Sequence, residues 1–226
     1  LRPSGHVGGD LVGSFVIDPQ RIVVYSVDVS GHGVASAMMT ARLAGLLSGA
    51  SPDQNIALRT APDGGRDAWP PEQVAASLNR LMLEDLQVDQ YFTLGYAEID
   101  LRTGVGTLVQ AGHPHPMLLR GTGVLERLGD GGLPIGLITE AGYPQTSFTL
   151  LPGDRLILVS DGVTECPNRF GEELGCEGLK KILLHNKGLA SADLLEALLW
   201  ELNAYAGGDD FPDDVSGLIF DYRGPG

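Results

Sequence analysis

Two short apolar runs joined by Asp18-Pro19-Gln20 place the strongest constraint on how this chain can fold. Residues 12–17 and 21–27 are both rich in β-branched and aromatic side chains, and two such runs around a short turn are typical of a β-hairpin. The numbers of paired residues in a hairpin have a constant sum, which a turn centred on the proline sets at about 38. The sequence therefore predicts that Asp10 and Asp28 face each other at the open end of this hairpin.

Such a pairing calls for a positive charge, because like charges that face each other across two strands destabilise a hairpin. Arg21 lies at the turn, a strand's length away at about 3.3 Å per residue, so a bound cation is the natural partner. Asp161, after the apolar run LILVS, and Asp213-Asp214, before the last apolar run, stand at comparable strand ends. Carboxylates without nearby His or Cys favour Mg²⁺ or Mn²⁺ over zinc, and several together can hold two ions. Aspartate at strand ends also serves turns, so the residue pattern alone leaves both interpretations open.

The rest of the chain alternates between helical and strand periodicity. Predicted helices cover residues 34–47, 71–86, 173–184 and 191–205, and predicted strands cover residues 91–99, 105–111, 117–120, 124–128, 147–150, 155–160 and 215–222. Residues 51–70, rich in Pro, Gly, Asp and Asn, are expected to form an exposed, mobile loop. No repeat or interior linker interrupts the pattern. We therefore expect one α+β domain over residues 1–226, with helices on the faces of a sheet-rich core.

Composition argues against several classes of function. Fifteen basic residues against 29 acidic residues give a formal net charge of −14, which disfavours binding to nucleic acid or anionic lipid. No apolar run approaches the length of a membrane span. The two cysteines, Cys166 and Cys176, support neither a disulfide framework nor a CxxC metal clip, so a cytoplasmic location is expected. Because the chain lacks an initiator Met, we expect it to be a fragment of a longer protein.

Six motifs follow one another along the chain: VGGDLVG, DVSGHG, AGHPHPMLL, GLPIGL, LPGDRLILVSDGVTE and DDVSGLIF. In this order they resemble the metal-dependent (PPM, type 2C) protein phosphatases of the bacterial SpoIIE-like branch, and in particular the output domains of response-regulator phosphatases. The resemblance implies a PPM-type β-sandwich of two antiparallel sheets flanked by helix pairs, in α-β-β-α layers. It also implies a centre of two Mn²⁺ or Mg²⁺ ions at one edge, and hydrolysis of phosphoserine or phosphothreonine by a metal-activated water.

The resemblance assigns metal ligands residue by residue. The aspartates that it implies to be both metal-binding and catalytic are Asp10, Asp28, Asp161 and Asp213. Val29 stands where the family uses a backbone carbonyl as a ligand. Asp214 is the alternative to Asp213, because two consecutive aspartates leave the register open by one residue. Gly9 matches a place where the backbone passes close to the metals, and the first strand of the family is expected to be truncated here.

Two positions depart from the eukaryotic relatives. Where many of those proteins grip the phosphate with an upstream arginine, only Arg2 is available here, and it is out of register. Where they carry a histidine two residues after the second aspartate, this chain has Ser30. His32, four residues after Asp28, is a candidate general acid, although packing within its loop is the favoured interpretation.

Other reactive side chains are interpreted as structural. His113 and His115 could point the same way from a strand, as metal ligands do, but each is flanked by proline and the resemblance makes the tract a structural corner. Cys166 is expected to be a small packed thiol, since the sequence gives no sign of an activating neighbour. The helix over residues 34–47 is expected to be core, and the resemblance implies that it is a switch that couples partner docking to metal binding.

The favoured function is therefore a Mn²⁺- or Mg²⁺-dependent serine/threonine protein phosphatase that forms the output of a signalling protein, behind a receiver or sensor domain. By analogy with the branch, its expected substrate is a phosphorylated STAS-type anti-sigma-factor antagonist or a similar partner-switching protein. The alternative is a catalytically silent phosphatase-fold adaptor that binds a regulatory protein, and the retained aspartates argue against it. A third interpretation is a small-molecule phosphohydrolase. The chain lacks a GxxxxGKS/T loop, which argues against a nucleoside-triphosphate enzyme.

Overall fold

A computed structural model describes residues 8–31, 33–86, 90–208 and 211–225, and its strands form two main antiparallel sheets. The first sheet contains, in spatial order, β1 (Asp10–Asp18), β2 (Arg21–Val29), β5 (Phe92–Asp100), β6 (Val105–Ala111) and β9 (Gln145–Thr149). The second contains β11 (Gly217–Asp221), β10 (Arg155–Val159), β7 (Met117–Leu119) and β8 (Leu125–Arg127). A separate small sheet pairs β3 (Leu58–Thr60) with β4 (Arg66–Ala68).

Helices cover the outer faces of both main sheets. The helices are α1 (Val34–Leu46), α2 (Pro71–Arg80), α3 (Asp161–Thr164), α4 (Gly175–His185) and α5 (Ser191–Tyr205). The proline that begins α2 suits a first helical turn, where a backbone N–H has no partner within the helix, and α2 continues into a π-helical turn at Leu81–Leu86. Within the described ranges, we find no helix with both the length and the apolar character that crossing a membrane requires.

Three apolar layers result from the alternation of side chains along the strands. On β2, Val23 and Val27 pack against α1 and α2, whereas Val24 packs between the two sheets. On the second sheet, Ile157 and Val159 pack against α4 and α5. The order of layers is therefore helix, sheet, sheet, helix, which confirms the α+β sandwich that the family resemblance implies.

The prediction of an exposed, mobile loop over residues 51–70 is wrong in one respect. Most of these residues are exposed, but they form a 3₁₀ turn and the β3–β4 hairpin. Ala57 and Ala68 at the base of this hairpin are buried, and Asp67 accepts hydrogen bonds from Arg21 (2.9 Å) and Arg59 (2.7 Å). These long-range contacts tie the segment to the first sheet, and the local composition does not reveal them.

Helix α1 belongs to the core on one face only. Met39 and Leu43 are buried, as is Leu47 just after the helix, but Val34 and Met38 are 71% and 70% exposed. Residues four positions apart share a helix face, so the two exposed side chains form a small apolar patch on the outer side of α1. The expectation that the whole apolar stripe is core is therefore wrong at Val34 and Met38.

Candidate metal centre

The β1–β2 hairpin brings Asp10 and Asp28 together at its open end. The two residues are direct partners in the strand register, as the sequence predicts, and the pairing runs without a shift from Asp10 to Val16. Paired residues of antiparallel strands point to the same face of a sheet. Because Val27 and Val29 on either side of Asp28 face the helices, both carboxylates point toward the second sheet.

Asp161 lies just beyond the end of β10 in the second sheet, separated from that strand by Ser160, and begins α3. Its charge acts on Asp28, so it lies near the open end of the hairpin. Ser160 binds the segment before β11: its N–H donates to the carbonyl of Ser216 (3.1 Å), and its hydroxyl donates to the carbonyl of Asp214 (3.3 Å) and accepts from the N–H of Ser216 (2.9 Å). A Cβ at Gly162 would collide with the carbonyl oxygen of Asp214. The motif SDG thus permits a close approach that holds Asp161 beside the acidic pair before β11.

Gly9 connects the hairpin to that acidic pair. Its N–H donates to the carboxylate of Asp214, and its carbonyl accepts hydrogen bonds from Thr40 on α1 (2.8 Å) and from the N–H of Val29 (3.3 Å). A Cβ at Gly9 would lie 2.8 Å from the carbonyl oxygen of Val29, so this position requires glycine. The carbonyl of Val29 consequently lies at the open end of the hairpin, next to Asp28.

The carboxyl groups at this edge disfavour one another's ionisation. Burial raises the pKa of Asp28 to about 8, and the charges of Asp161, Asp10, Asp213 and Asp214 add to the shift. Burial likewise raises the pKa of Asp10 to about 6, against the opposing effect of the nearby hydroxyls of Ser160 and Ser216, neither of which meets hydrogen-bond geometry with the carboxylate. Burial, followed by the charge of Asp213, raises the pKa of Asp161. These mutual effects join residues from both sheets, so the strand ends converge on one edge, one of the two arrangements that the residue pattern left open.

Asp10 provides the sharpest sign of a cation. The residue is 4% exposed, and neither of its carboxylate oxygens has a hydrogen-bond partner among the described residues. A buried carboxylate without a partner is unfavourable, and hard oxygen donors of this kind fit Mg²⁺ or Mn²⁺. Among all the residues that the structure describes, no three His, Cys, Asp or Glu side chains lie close enough together to coordinate one ion.

The other candidate residues from the sequence are either outside the described residues or have structural contacts. His32 and Arg2 lie outside the described residues. The hydroxyl of Ser30 accepts a hydrogen bond from the N–H of Tyr91 (3.0 Å), and the N–H of Ser30 donates to the carbonyl of Tyr91 (2.9 Å). Ser30 therefore fixes the loop after β2 against the segment before β5. Cys166 is a free, buried thiol whose pKa is raised by burial, which confirms its interpretation as a packed residue.

The two histidines of the GHPHP tract make structural hydrogen bonds. His113 is buried, and its Nδ1 lies 2.8 Å from the hydroxyl oxygen of Thr93. The Nδ1 of His115 lies 3.1 Å from the carbonyl oxygen of Leu128. These contacts agree with a structural corner. Sequence reasoning missed Ser160 and Ser216, because the bonds between them join residues far apart in the chain.

We expect His113 to make the protein less stable in acid. Burial lowers the pKa of its imidazole from 6.5 to about 3, so below about pH 6.5 the unfolded chain binds a proton that the folded state excludes. The stabilisation is complete above that pH and is lost progressively as the pH falls toward the folded-state pKa. The His113→Gln variant should show a smaller fall in Tm between about pH 7 and pH 5, measured by circular dichroism. The matched variant His115→Gln should keep the wild-type dependence, and an equally steep fall in His113→Gln would contradict the assignment.

Known proteins resemble this chain over most of its length. The phosphoserine phosphatase RsbP of Bacillus subtilis (strain 168) is 28% identical over 162 residues, which cover 72% of this chain and 38% of RsbP. The phosphoserine phosphatase RsbU of the same organism is 28% identical over 170 residues, which cover 75% of this chain and 46% of RsbU. The matched region thus spans less than half the length of these relatives.

Comparison of structures identifies the same fold. The SiaA-PP2C domain of Pseudomonas aeruginosa superposes with a TM-score of 0.78 at 22% sequence identity, over 98% of this chain and 83% of that chain. Residues 18–223 match the family of Stage II sporulation protein E (SpoIIE), a range that extends from the end of β1 to the residues after β11. The chain therefore belongs to the SpoIIE family and has the fold of a PP2C phosphatase domain.

Proposed function

We propose that this chain is a Mn²⁺- or Mg²⁺-dependent protein phosphatase that hydrolyses phosphoserine or phosphothreonine on a regulatory protein. The observation that carries the proposal is the buried carboxylate of Asp10, which has no hydrogen-bond partner among the described residues and lies opposite Asp28. Membership of the SpoIIE family and the likeness to two phosphoserine phosphatases support the same reaction.

In this proposal two ions are held by four aspartates and one backbone carbonyl. The proposed ligands are Asp10, Asp28, Asp161, Asp213 and the carbonyl of Val29. Such ions lower the pKa of water and offset the negative charge of a phosphoryl group. The chain's own contribution is to hold the carboxylates at the ends of strands of two sheets: strand pairing positions Asp10 and Asp28, and the bonds of Ser160 hold Asp161 beside the segment before β11. Asp214 is the less suitable ligand, since its carboxylate accepts the hydrogen bond from Gly9.

The proposal extends to the biological setting. Residues 1–226 form one phosphatase domain, the output of a longer signalling protein that carries a receiver or sensor domain. Its substrate is a phosphorylated STAS-type or similar partner-switching protein, and it acts in the cytoplasm. The support is that RsbP and RsbU are phosphoserine phosphatases more than twice as long as the region they share with this chain.

A phosphatase-fold adaptor without activity is the second candidate. The observation in its favour is that, in the described part of the chain, no three potential ligands form a group ready to hold an ion. Against it, an adaptor gains nothing from carboxyl groups that raise one another's pKa at a shared edge. Metal dependence of catalysis separates these two candidates.

The test is hydrolysis of p-nitrophenyl phosphate and of a phosphoserine peptide by the purified protein, with added Mn²⁺, with added Mg²⁺ and after chelation. We expect phosphate release from both substrates in the presence of either ion, lost on chelation and restored by adding the ion again. Activity that survives chelation would refute the metal mechanism. Absence of activity under all conditions, together with metal-independent binding of a regulatory protein, would favour the adaptor.

A further inference from the structure

A structured loop follows α3 at the candidate metal centre. The loop comprises residues 166–174, and we refer to it as the rim loop. The carboxamide oxygen of Asn168 accepts hydrogen bonds from the N–H groups of Phe170 (2.8 Å) and Glu172 (3.1 Å), and its NH₂ group donates to the carboxylate of Glu172 (3.0 Å). The N–H of Leu174 closes the loop on the carbonyl of Cys166 (2.9 Å). The rim loop is therefore held in one conformation by its own hydrogen bonds.

The rim loop is anchored to α3 before its start and to α5 at its end. At its start, the N–H of Glu165 donates to the carbonyl of Asp161 (2.7 Å), so the loop begins one helical turn after a proposed metal ligand. At its end, the hydroxyl of Tyr205 on α5 lies 3.0 Å and 3.1 Å from the carbonyl oxygens of Glu172 and Glu173. The rim loop thus follows Asp161 closely in the chain and ends against α5, the helix that precedes Asp213.

The rim loop presents an aromatic ring and a cation to solvent. Phe170 is 73% exposed, and the guanidinium of Arg169 stacks on its ring, 4.7 Å from the centroid. Arg169 is the only basic residue between Asp161 and Leu174, and it has no ion-pair partner among the described residues, unlike Arg21 or Arg120. Single exposed apolar residues are common, but an ordered loop that pairs an exposed aromatic ring with an unpaired cation has the features of a binding hot spot.

Charge decides what such a pair can bind. The chain has a net charge of −14, and the edge beside the rim loop is lined by aspartates, so an approaching phosphoprotein is repelled until cations compensate. Arg169 supplies one such cation on the loop that follows Asp161 in the chain. Phe170 offers that phosphoprotein an apolar surface.

We propose that Arg169 and Phe170 bind the substrate segment that flanks the phosphorylated residue and select an acidic side chain and an apolar side chain there. This specificity rests on the proposed phosphatase function. Because p-nitrophenyl phosphate has no flanking polypeptide, its hydrolysis does not depend on either residue.

The test uses the full chain with Mn²⁺ and two phosphoserine peptides that differ only in their flanking residues. One peptide carries Glu and Leu beside the phosphoserine, and the other carries Lys and Gly. We expect wild-type protein to hydrolyse the Glu–Leu peptide with kcat/KM about tenfold higher, which corresponds to the binding energy of one good contact. The Arg169→Glu variant should reverse the charge preference, and Phe170→Ala should lower kcat/KM for the Glu–Leu peptide, while hydrolysis of p-nitrophenyl phosphate stays within about twofold of wild type.

Two matched control substitutions change residues at the other end of β10, away from the rim loop. Lys187→Glu makes the same charge change beside Gly153 and Arg155, and Leu151→Ala removes another side chain that is 59% exposed. Both controls should keep the wild-type peptide preference. An active wild type whose preference is unchanged in Arg169→Glu and Phe170→Ala would overturn the specificity proposal alone. Failure of the wild type to hydrolyse any probe would overturn the phosphatase function on which it rests.

Discussion

Asp161→Asn is expected to reduce Mn²⁺-dependent hydrolysis of p-nitrophenyl phosphate by about 10²–10³-fold, the effect of losing about 3–4 kcal/mol of transition-state stabilisation. The substitution keeps the shape of the side chain but removes its charge, so fewer carboxylates remain to hold the ions. The backbone contacts that position this residue, among them the N–H of Glu165 on its carbonyl, are preserved. Circular dichroism should therefore show an intact fold, and titration calorimetry should show weaker Mn²⁺ binding.

Glu165→Gln provides the matched control for this loss. Burial, followed by the charges of Asp161, Glu173 and Asp213, raises the pKa of Glu165, so the control also removes a carboxylate close to the same edge. Since Glu165 is not a proposed ligand, activity should remain within about twofold of wild type. If both variants lost activity equally, general negative charge at the edge would explain the effect. If Asp161→Asn kept its activity, the proposed ligand set would be wrong.

The hairpin that carries Asp10 and Asp28 could be predicted from the sequence because its register is a local property. A short turn sets which residues pair to within about one position, because only residues 19 and 20 separate β1 from β2. Next to this turn Asp18 pairs with Arg21, a sum of 39. A register shift between Val16 and Asp18 brings the sum to 38 for the rest of the hairpin, and Asp10 therefore pairs with Asp28. The α+β class could be predicted for a similar reason, since strand and helix periodicities are readable within each segment, whereas the division into two sheets was implied by the family resemblance.

Features that depend on contacts between distant segments could not be predicted in this way. The bonds between Ser160 and Ser216 join the end of β10 to the start of β11. The residues next to either serine in the sequence do not indicate that these bonds form. Likewise, the β3–β4 hairpin is tied to the first sheet by Asp67 and Arg21, which are 46 residues apart. The structure of a short polar segment depends on its hydrogen bonds and ion pairs with distant residues. The amino-acid composition of the segment predicts only that it is exposed.

Asp28 is expected to destabilise the protein that contains no metal. Burial raises the pKa of this carboxyl from 3.8 to about 8, and four other aspartates add to the effect. The folded state must either hold a proton that the unfolded chain releases or accommodate a repelled charge, and both are unfavourable near neutral pH. After chelation, Asp28→Asn should therefore raise Tm by about 4–8 °C, equivalent to about 2 kcal/mol in a domain of this size.

Divalent ions should reverse the order of stability of the two proteins, so that wild type melts at a higher temperature than Asp28→Asn. A ligand that binds only the folded state stabilises it in proportion to its affinity, and Asp28→Asn lacks one of the proposed ligands. In saturating Mn²⁺, wild type should gain more in Tm than the variant, so that the two melting curves, followed by circular dichroism, change places. Asp130→Asn, at an exposed aspartate in the loop after β8, should match wild type under both conditions. An Asp28→Asn protein that is less stable than wild type without metal would mean that Asp28 serves the fold, and the interpretation of this edge as a cation site would lose its electrostatic basis.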